Sequence, residues 1–218
     1  MEKKCIVLAD DHILIRHGIR KILEEEPLFE IVGEVNDGLQ LLAIMKDTVP
    51  DLIVLDISMP HLRGIEAIGE IQKINPQTKI LILTMHKSDQ YLGSAMAAGA
   101  DGYLLKEDSD TELLPAIKKI LQGEIYISPS LKTGFSDDTI QSCLNRRALP
   151  DPLTLREKQV LQLVAEGQTS RNIAEMLKIS KRTVDHHRAN IMKKLNIKTT
   201  ADLIRYAIKK GFTVSPAR

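Results

Sequence analysis

The first 122 residues alternate between two apolar patterns, and that alternation constrains the fold more than any other feature of the chain. Short apolar runs occupy 5–9, 52–55, 80–83 and 103–105, with a weaker one at 31–35. Between them, apolar residues recur at helical spacing: Leu14, Ile15, Ile19, Ile22 and Leu23; then Ile65, Ile68 and Ile71; then Leu113, Leu114, Ile117, Ile120 and Leu121. A strand that is apolar on both sides must be buried on both faces. Strand–helix repeats of this kind build a parallel sheet covered by helices on each side. Residues 1–122 are therefore expected to form an α/β doubly wound, parallel five-stranded domain.

The remainder reads differently. Residues 123–150 carry Gly, Pro and Ser punctuation. They then place Ile140, Cys143 and Leu144 on one helical face, with acidic residues ahead and Arg146 and Arg147 behind. This is a linker with a short helix, charged to suit its dipole and closed by Pro150 and Pro152. Residues 151–218 read as an all-α unit of four helices. Thr154 and Glu157 have capping-box spacing ahead of Val160, Leu161, Leu163 and Val164,. Gly167 stops that helix. Ile173, Ala174 and Leu177 mark a second. After a turn at 178–180, Ser180 caps a third helix with Val184, Ile191 and Leu195. Thr199 and Asp202 open a fourth, carrying Leu203, Ile204, Ala207 and Ile208 and ended by Gly211.

Charge follows the same division. The 218 residues carry a net +1, but residues 1–125 hold 13 Lys and Arg against 21 Asp and Glu, and residues 151–218 hold 14 against 6. An acidic first part and a basic last part predict different partners, with nucleic acid the natural one for the basic unit. Two cysteines, Cys5 and Cys143, form no framework and no metal spacing, which points to a reducing, cytoplasmic compartment. No run resembles a signal peptide or approaches the roughly 20 apolar residues of a membrane span.

Ligands of open parallel sheets bind outside the carboxyl ends of the strands. Here the first run ends in Asp10 and Asp11, the third in Asp56, the fourth in Thr84 and the fifth in Lys106. Crowded carboxylates repel one another and invite a hard divalent cation, Mg2+ with oxygen ligands fitting well. A carboxylate beside such a cation can attack phosphorus. Thr84 and Lys106 can then hold phosphoryl oxygens by hydrogen bond and charge. Asp and Thr also serve as helix caps at strand–helix junctions. Capping does not by itself explain the ordered set at four strand ends.

The stretches VLADDH, DLIVLDISMP, ILILTMH and GADGYLLK resemble the receiver domain of bacterial two-component response regulators, over roughly residues 4–122. The resemblance implies that Asp56 accepts a phosphoryl group from a sensor histidine kinase. It implies Mg2+ bound by Asp11, Asp56 and the backbone carbonyl of Ser58, with Asp10 assisting. It makes Thr84 and Lys106 the phosphoryl contacts and Tyr103 an aromatic switch coupled to Thr84. The residue after the lysine, Glu107, departs from the proline found in many receivers.

The segment TSRNIAEMLKISKRTVDHHRANIMKKL has the spacing of two helices joined by a tight turn. Its second helix exposes Lys181, Arg182, Asp185, His186, Arg188, Ala189, Lys193 and Lys194. Cations along one face suit a phosphate backbone, and the helix start suits a major groove, where Arg188 can hydrogen-bond a base edge and Asp185 can accept from cytosine. A small solvated bundle is the rival on spacing alone. LTLREKQVLQLVAEG, SRNIAEML, RTVDHHRANIMKKL and TTADLIRYAIKKG together resemble the LuxR-type four-helix DNA-binding domain. Following a receiver, this is the NarL/FixJ arrangement. It implies that Asp185, His186 and Ala189 face bases of double-stranded DNA, that Thr183, His187, Arg188, Asn190 and Lys193 meet phosphates, and that the last helix supports a homodimer when the receiver is phosphorylated.

Two other functions share part of this pattern. A haloacid-dehalogenase-type phosphatase also uses a nucleophilic Asp with Mg2+, but needs a second Asp where this chain has Ser58. A regulator that ignores phosphorylation is disfavoured by the intact set of Asp10, Asp11, Asp56, Thr84 and Lys106. Among the histidines, His12 adjoins the acidic pair and can approach the site mouth, but is expected to begin the first helix. His186 and His187 diverge on a helix and make a poor metal pair. His17, His61 and His86 show no partner in the sequence.

Overall fold

The computed structural model describes residues 3–60, 62–145, 152–209 and 212. It divides into two compact units, Met1–Ala148 and Leu149–Arg218.

In the first unit, β1 (Lys4–Ala9), β2 (Phe29–Val35), β3 (Leu52–Leu55), β4 (Lys79–Thr84), β5 (Gly102–Leu105) and β6 (Tyr126–Ile127) form one sheet in the order β2-β1-β3-β4-β5-β6. Every pairing is parallel. Ile6, Leu8, Leu52, Val54, Leu81, Leu83 and Leu104 point to one face. There they meet Ile19 and Leu23 of α1 (Ile13–Glu24) and Leu113, Ala116, Ile117 and Ile120 of α5 (Ser109–Leu121). Their strand neighbours Val7, Ile53, Ile82 and Tyr103 are equally buried, which the two-residue period assigns to the opposite face. The helices α2 (Gly38–Ile44), α3 (Gly64–Ile74) and α4 (Asp89–Ala98) complete the alternation. Asp37 and Ser88 cap α2 and α4 with side-chain oxygens,.

Six strands are present where the sequence leads one to expect five. β6 and two short helices, α6 (Pro129–Gly134) and α7 (Asp137–Leu144), lie within the segment read as a linker. A two-residue strand is too short to show a period, and Gly123 and Pro129 beside it read as punctuation. The short helix expected there is α7, capped by Ser136, with Ile140 and Cys143 buried. Arg146, Arg147 and Pro150 fall outside the described residues.

The second unit holds α8 (Leu155–Ala165), α9 (Ser170–Met176), α10 (Lys181–Lys194) and α11 (Thr200–Lys209). Thr154 and Glu157 form a capping box at the start of α8, and Gly167 has a φ of +82° just past its end,. The Ser180 side chain accepts from the Thr183 N–H, and Thr199 accepts from that of Asp202. Gly211 lies outside the described residues. Val160, Leu161, Ile173, Val184, Ile191, Leu203 and Ala207 form the core. No described helix is long and apolar enough to cross a membrane.

Candidate functional site

The order β2-β1-β3 means that the chain leaves β1 to one side and arrives at β3 on the other. Their carboxyl ends therefore open a crevice, the topological switch point of such sheets. The Asp56 N–H donates to the Ala9 carbonyl at 2.8 Å, so the ladder continues one step past β3 and sets Asp56 beside Asp10. On the far side of β4, β5 delivers Lys106 at the start of a single 3₁₀ turn, Lys106–Asp108.

These three charges are buried: Asp10 is 4% exposed, Asp56 2% and Lys106 9%. Lys106 Nζ lies 2.9 Å from Asp56 Oδ2 and 2.7 Å from Asp10 Oδ2. One ammonium thus serves two carboxylates. Burial pushes the Asp56 carboxyl above its usual range; Lys106 opposes this and Asp10 adds to it. For Lys106, burial works against the charge, but Asp56 and Asp10 outweigh it and hold the ammonium above its ordinary value,. Asp10 Oδ2 lies against the Lys106 ammonium, and three carboxylates crowd one mouth, an oxygen-rich set that is a good fit to a hard cation,.

Asp11 is exposed and turns to the same mouth. Asp10, Asp11, His12 and Asp56 each offer a ligand atom within 4.8 Å of the others. His12 sits at the N-cap of α1, with Nδ1 2.7 Å from Asp11 Oδ1 and 3.2 Å from Asp10 Oδ1. The sequence places it near the acidic pair; only the structure brings its ring against both carboxylates.

Ser58, Thr84 and Tyr103 converge on His86. Ser58 Oγ pairs with His86 Nε2 at 2.8 Å, the His86 N–H donates to Thr84 Oγ1 at 3.3 Å, and the Tyr103 hydroxyl donates to the His86 carbonyl at 2.9 Å. The imidazole stacks on Tyr91 with centroids 4.2 Å apart, and the Arg63 guanidinium lies over the Tyr91 ring. Burial, then the charges of Arg63 and Lys106, push the His86 pKa down. Burial also holds the Tyr103 hydroxyl protonated. His86 was without a partner in the sequence because these contacts join β3, β4, α4 and β5. His61 lies outside the described residues. Gly64 was missed for the same reason: a Cβ there would run into the carbonyl oxygen of Asp56.

In the second unit, α10 buries Val184 and Ile191 and exposes Lys181, Arg182, Thr183, Asp185, His186, Ala189, Lys193 and Lys194. His187, Arg188 and Asn190 are half-buried. Among the described residues, two cations of α10 are engaged within the unit. Arg188 reaches Ser170 Oγ at 3.3 Å and Thr200 Oγ1 at 3.4 Å. Lys194 Nζ lies 2.6 Å from the buried carboxylate of Glu157. Lys194 thus ties α10 to the capping box of α8, a role its position on an exposed basic face did not disclose.

Comparison with known proteins matches both units. The receiver-domain model of response regulators covers residues 6–118. The model of bacterial regulatory proteins of the luxR family covers residues 151–207. The chain is 37% identical over 211 residues to the oxygen regulatory protein NreC of Staphylococcus epidermidis, spanning 94% of this chain and 97% of that one. It is 35% identical over 221 residues to the transcriptional regulatory protein DegU of Brevibacillus brevis, spanning 95% and 94%. Among solved structures, RcsB of Salmonella enterica serovar Typhimurium, bound to a promoter in the presence of the phosphomimetic BeF3−, is 27% identical. Its TM-score is 0.58, over 94% of this chain and 98% of that one.

Proposed function

The chain belongs to the response regulators, with a receiver domain and a LuxR-type DNA-binding domain, and from that premise we propose that Asp56 is its phosphoacceptor and α10 its DNA-reading helix. The family regulates transcription and is not a family of enzymes. The working division is a receiver over 1–122, a connecting segment over 123–150 and a DNA-binding domain over 151–218. The protein acts in the cytoplasm, with a sensor histidine kinase as phosphoryl donor and double-stranded DNA as target.

The observation that carries this reading is the buried triad of Asp56, Asp10 and Lys106 at the switch point of the sheet. An Asp56 carboxylate oxygen attacks the phosphorus of a phosphohistidine; the P–N bond breaks and the imidazole leaves with the kinase. Asp10, Asp11, Asp56 and the Ser58 carbonyl would hold Mg2+, which would supply neutralisation of the crowded negative charge. Lys106, already held at Asp56, follows the added phosphoryl charge. Thr84 donates its hydroxyl to a phosphoryl oxygen. Tyr103, tied to the same loop through His86, moves with it. The apolar side chains of Ile13 and Leu14, 60% and 85% exposed beside the acidic mouth, suit contact with a protein donor.

On DNA, Asp185, His186 and Ala189 face base edges, while Lys181, Arg182, Thr183, His187, Arg188, Asn190, Lys193 and Lys194 serve the phosphates or orient the helix. The phosphorylated protein binds an inverted repeat as a homodimer, with α11 at the dimer contact. The test is direct. Asp56→Asn should abolish uptake of labelled phosphoryl from a donor kinase. Uptake at the wild-type rate would remove Asp56 from this role. Selection from random duplexes should sharpen toward an inverted repeat when BeF3− and Mg2+ are added. Equal selection without them would leave the DNA-binding role standing and remove the phosphorylation gate.

A further inference from the structure

The turn that carries Lys106 is bonded to the segment leaving the sheet unit. β6 pairs with β5, setting Tyr103 opposite Ile127. The next residue, Ser128, is 0% exposed. Its N–H donates to the Tyr103 carbonyl at 2.9 Å, and its hydroxyl oxygen accepts from the Leu105 N–H at 3.3 Å. The same hydroxyl donates to the Asp108 carboxylate. Ser130 Oγ donates to the other Asp108 oxygen at 2.7 Å. Asp108 is the N-cap residue of α5, yet makes no side-chain cap bond. Its carboxylate instead takes two hydroxyls from the outgoing chain.

Resting on the phosphorylation reading above, we propose that Asp108 and Ser128 form a latch that passes the position of the Lys106 turn to the segment feeding the DNA-binding unit. The turn is three residues long, Lys106–Asp108, and the Lys106 carbonyl is itself fixed by Ser109 Oγ at 2.7 Å. In so short a turn, a shift of the Lys106 backbone toward a new charge on Asp56 is passed to Asp108. Asp108 carries Ser128 and Ser130, which open α6. Ser128 also holds the backbone of Tyr103 through its N–H and that of Leu105 through its hydroxyl, so one residue is bonded to both positions of β5. These are positioning residues: neither touches the phosphoryl group.

The experiment uses the full chain and a DNA duplex obtained by selection, with affinity measured with and without BeF3− and Mg2+. Ser128→Ala and Asp108→Asn should each keep BeF3− affinity within about twofold of wild type. The gain in DNA affinity on adding BeF3− should fall by about fivefold or more, the low end of typical allosteric couplings. By reciprocity, the tightening of BeF3− binding by DNA should fall by the same factor in both variants. A folded variant with the wild-type gain overturns the latch. So does a loss of BeF3− affinity in step with the lost gain, which would place the residues at the site itself. If Ser128→Ala fails to fold, Asp108→Asn, which removes only a half-buried charge, decides alone. A wild-type protein with no gain from BeF3− would instead overturn the phosphorylation gate, and the latch with it.

Discussion

The two units use charge in opposite ways. In the sheet unit, Asp10, Asp56 and Lys106 are under a tenth exposed and share one cluster. In the helical unit, most charges of α10 stand on a solvated face. A buried charge is costly unless paired, so each member of the cluster depends strongly on the others, and adding one more charge must rearrange them. Exposed cations interact weakly with one another and sum their pull on a polyanion, with a strong dependence on salt. The first arrangement makes a switch and the second a docking face. Lys194 is the instructive exception: it lies on the docking helix but pairs with a buried carboxylate.

The largest effects should separate the two cores. Leu104→Ala in the sheet and Ile191→Ala in α10 each remove a side chain that is 0% exposed, at about 2–5 kcal/mol apiece. The helical unit is about half as long as the other, so calorimetry should show its transition falling by roughly 4–8 °C per kcal/mol, against roughly 2–4 °C for the sheet unit. Equal shifts would erase this difference. Next is Gly64→Ala, which forces the Asp56 carbonyl to move and should slow phosphoryl uptake by about 10²-fold, leaving DNA binding without BeF3− unchanged. An unimpaired rate would mean that Asp56 tolerates the displacement.

Smaller effects test the exception. Burial raises the Glu157 pKa, but hydrogen bonds from Lys194 and Thr154 outweigh it and hold the carboxyl below its usual value. A depressed acid stabilises above its unfolded pKa and loses that contribution as pH falls through its folded one. The helical unit should therefore weaken as pH drops from about 5 toward 3, and Glu157→Gln should flatten that slope while removing about 1 kcal/mol at neutral pH. An unchanged slope in denaturant titrations would assign the acid sensitivity elsewhere. Smallest is Lys178→Gly. Lys178 holds a φ of +52° between α9 and α10, and a glycine there should stabilise the unit by roughly 0.5–1 kcal/mol. A loss of stability would show that the lysine side chain contributes more than its backbone strain removes.

Much of this was legible in the sequence because it is local or periodic. The capping box at Thr154 and Glu157, the cap at Ser180 and the stop at Gly167 depend on residues a few positions apart. The unbroken apolar runs ending in Asp10, Asp56, Thr84 and Lys106 needed only the two-residue period of a strand and the rule that ligands sit at strand ends. β6 was invisible because two residues have no period. His86 and Gly64 were invisible because their partners lie on other elements.

The sequence by itself determined which segments are buried, where helices start and stop, and which charged residues stand at the ends of strands. Those properties follow from side-chain chemistry read along the chain. Only the tertiary structure decided that Asp10 and Asp56 share one ammonium, that Ser58, Thr84 and Tyr103 meet at His86, and that Asp108 forgoes its helix cap for Ser128 and Ser130. Each of those contacts joins residues at least 17 positions apart or depends on a third residue that does, and strand order, which no local pattern records, brings them together.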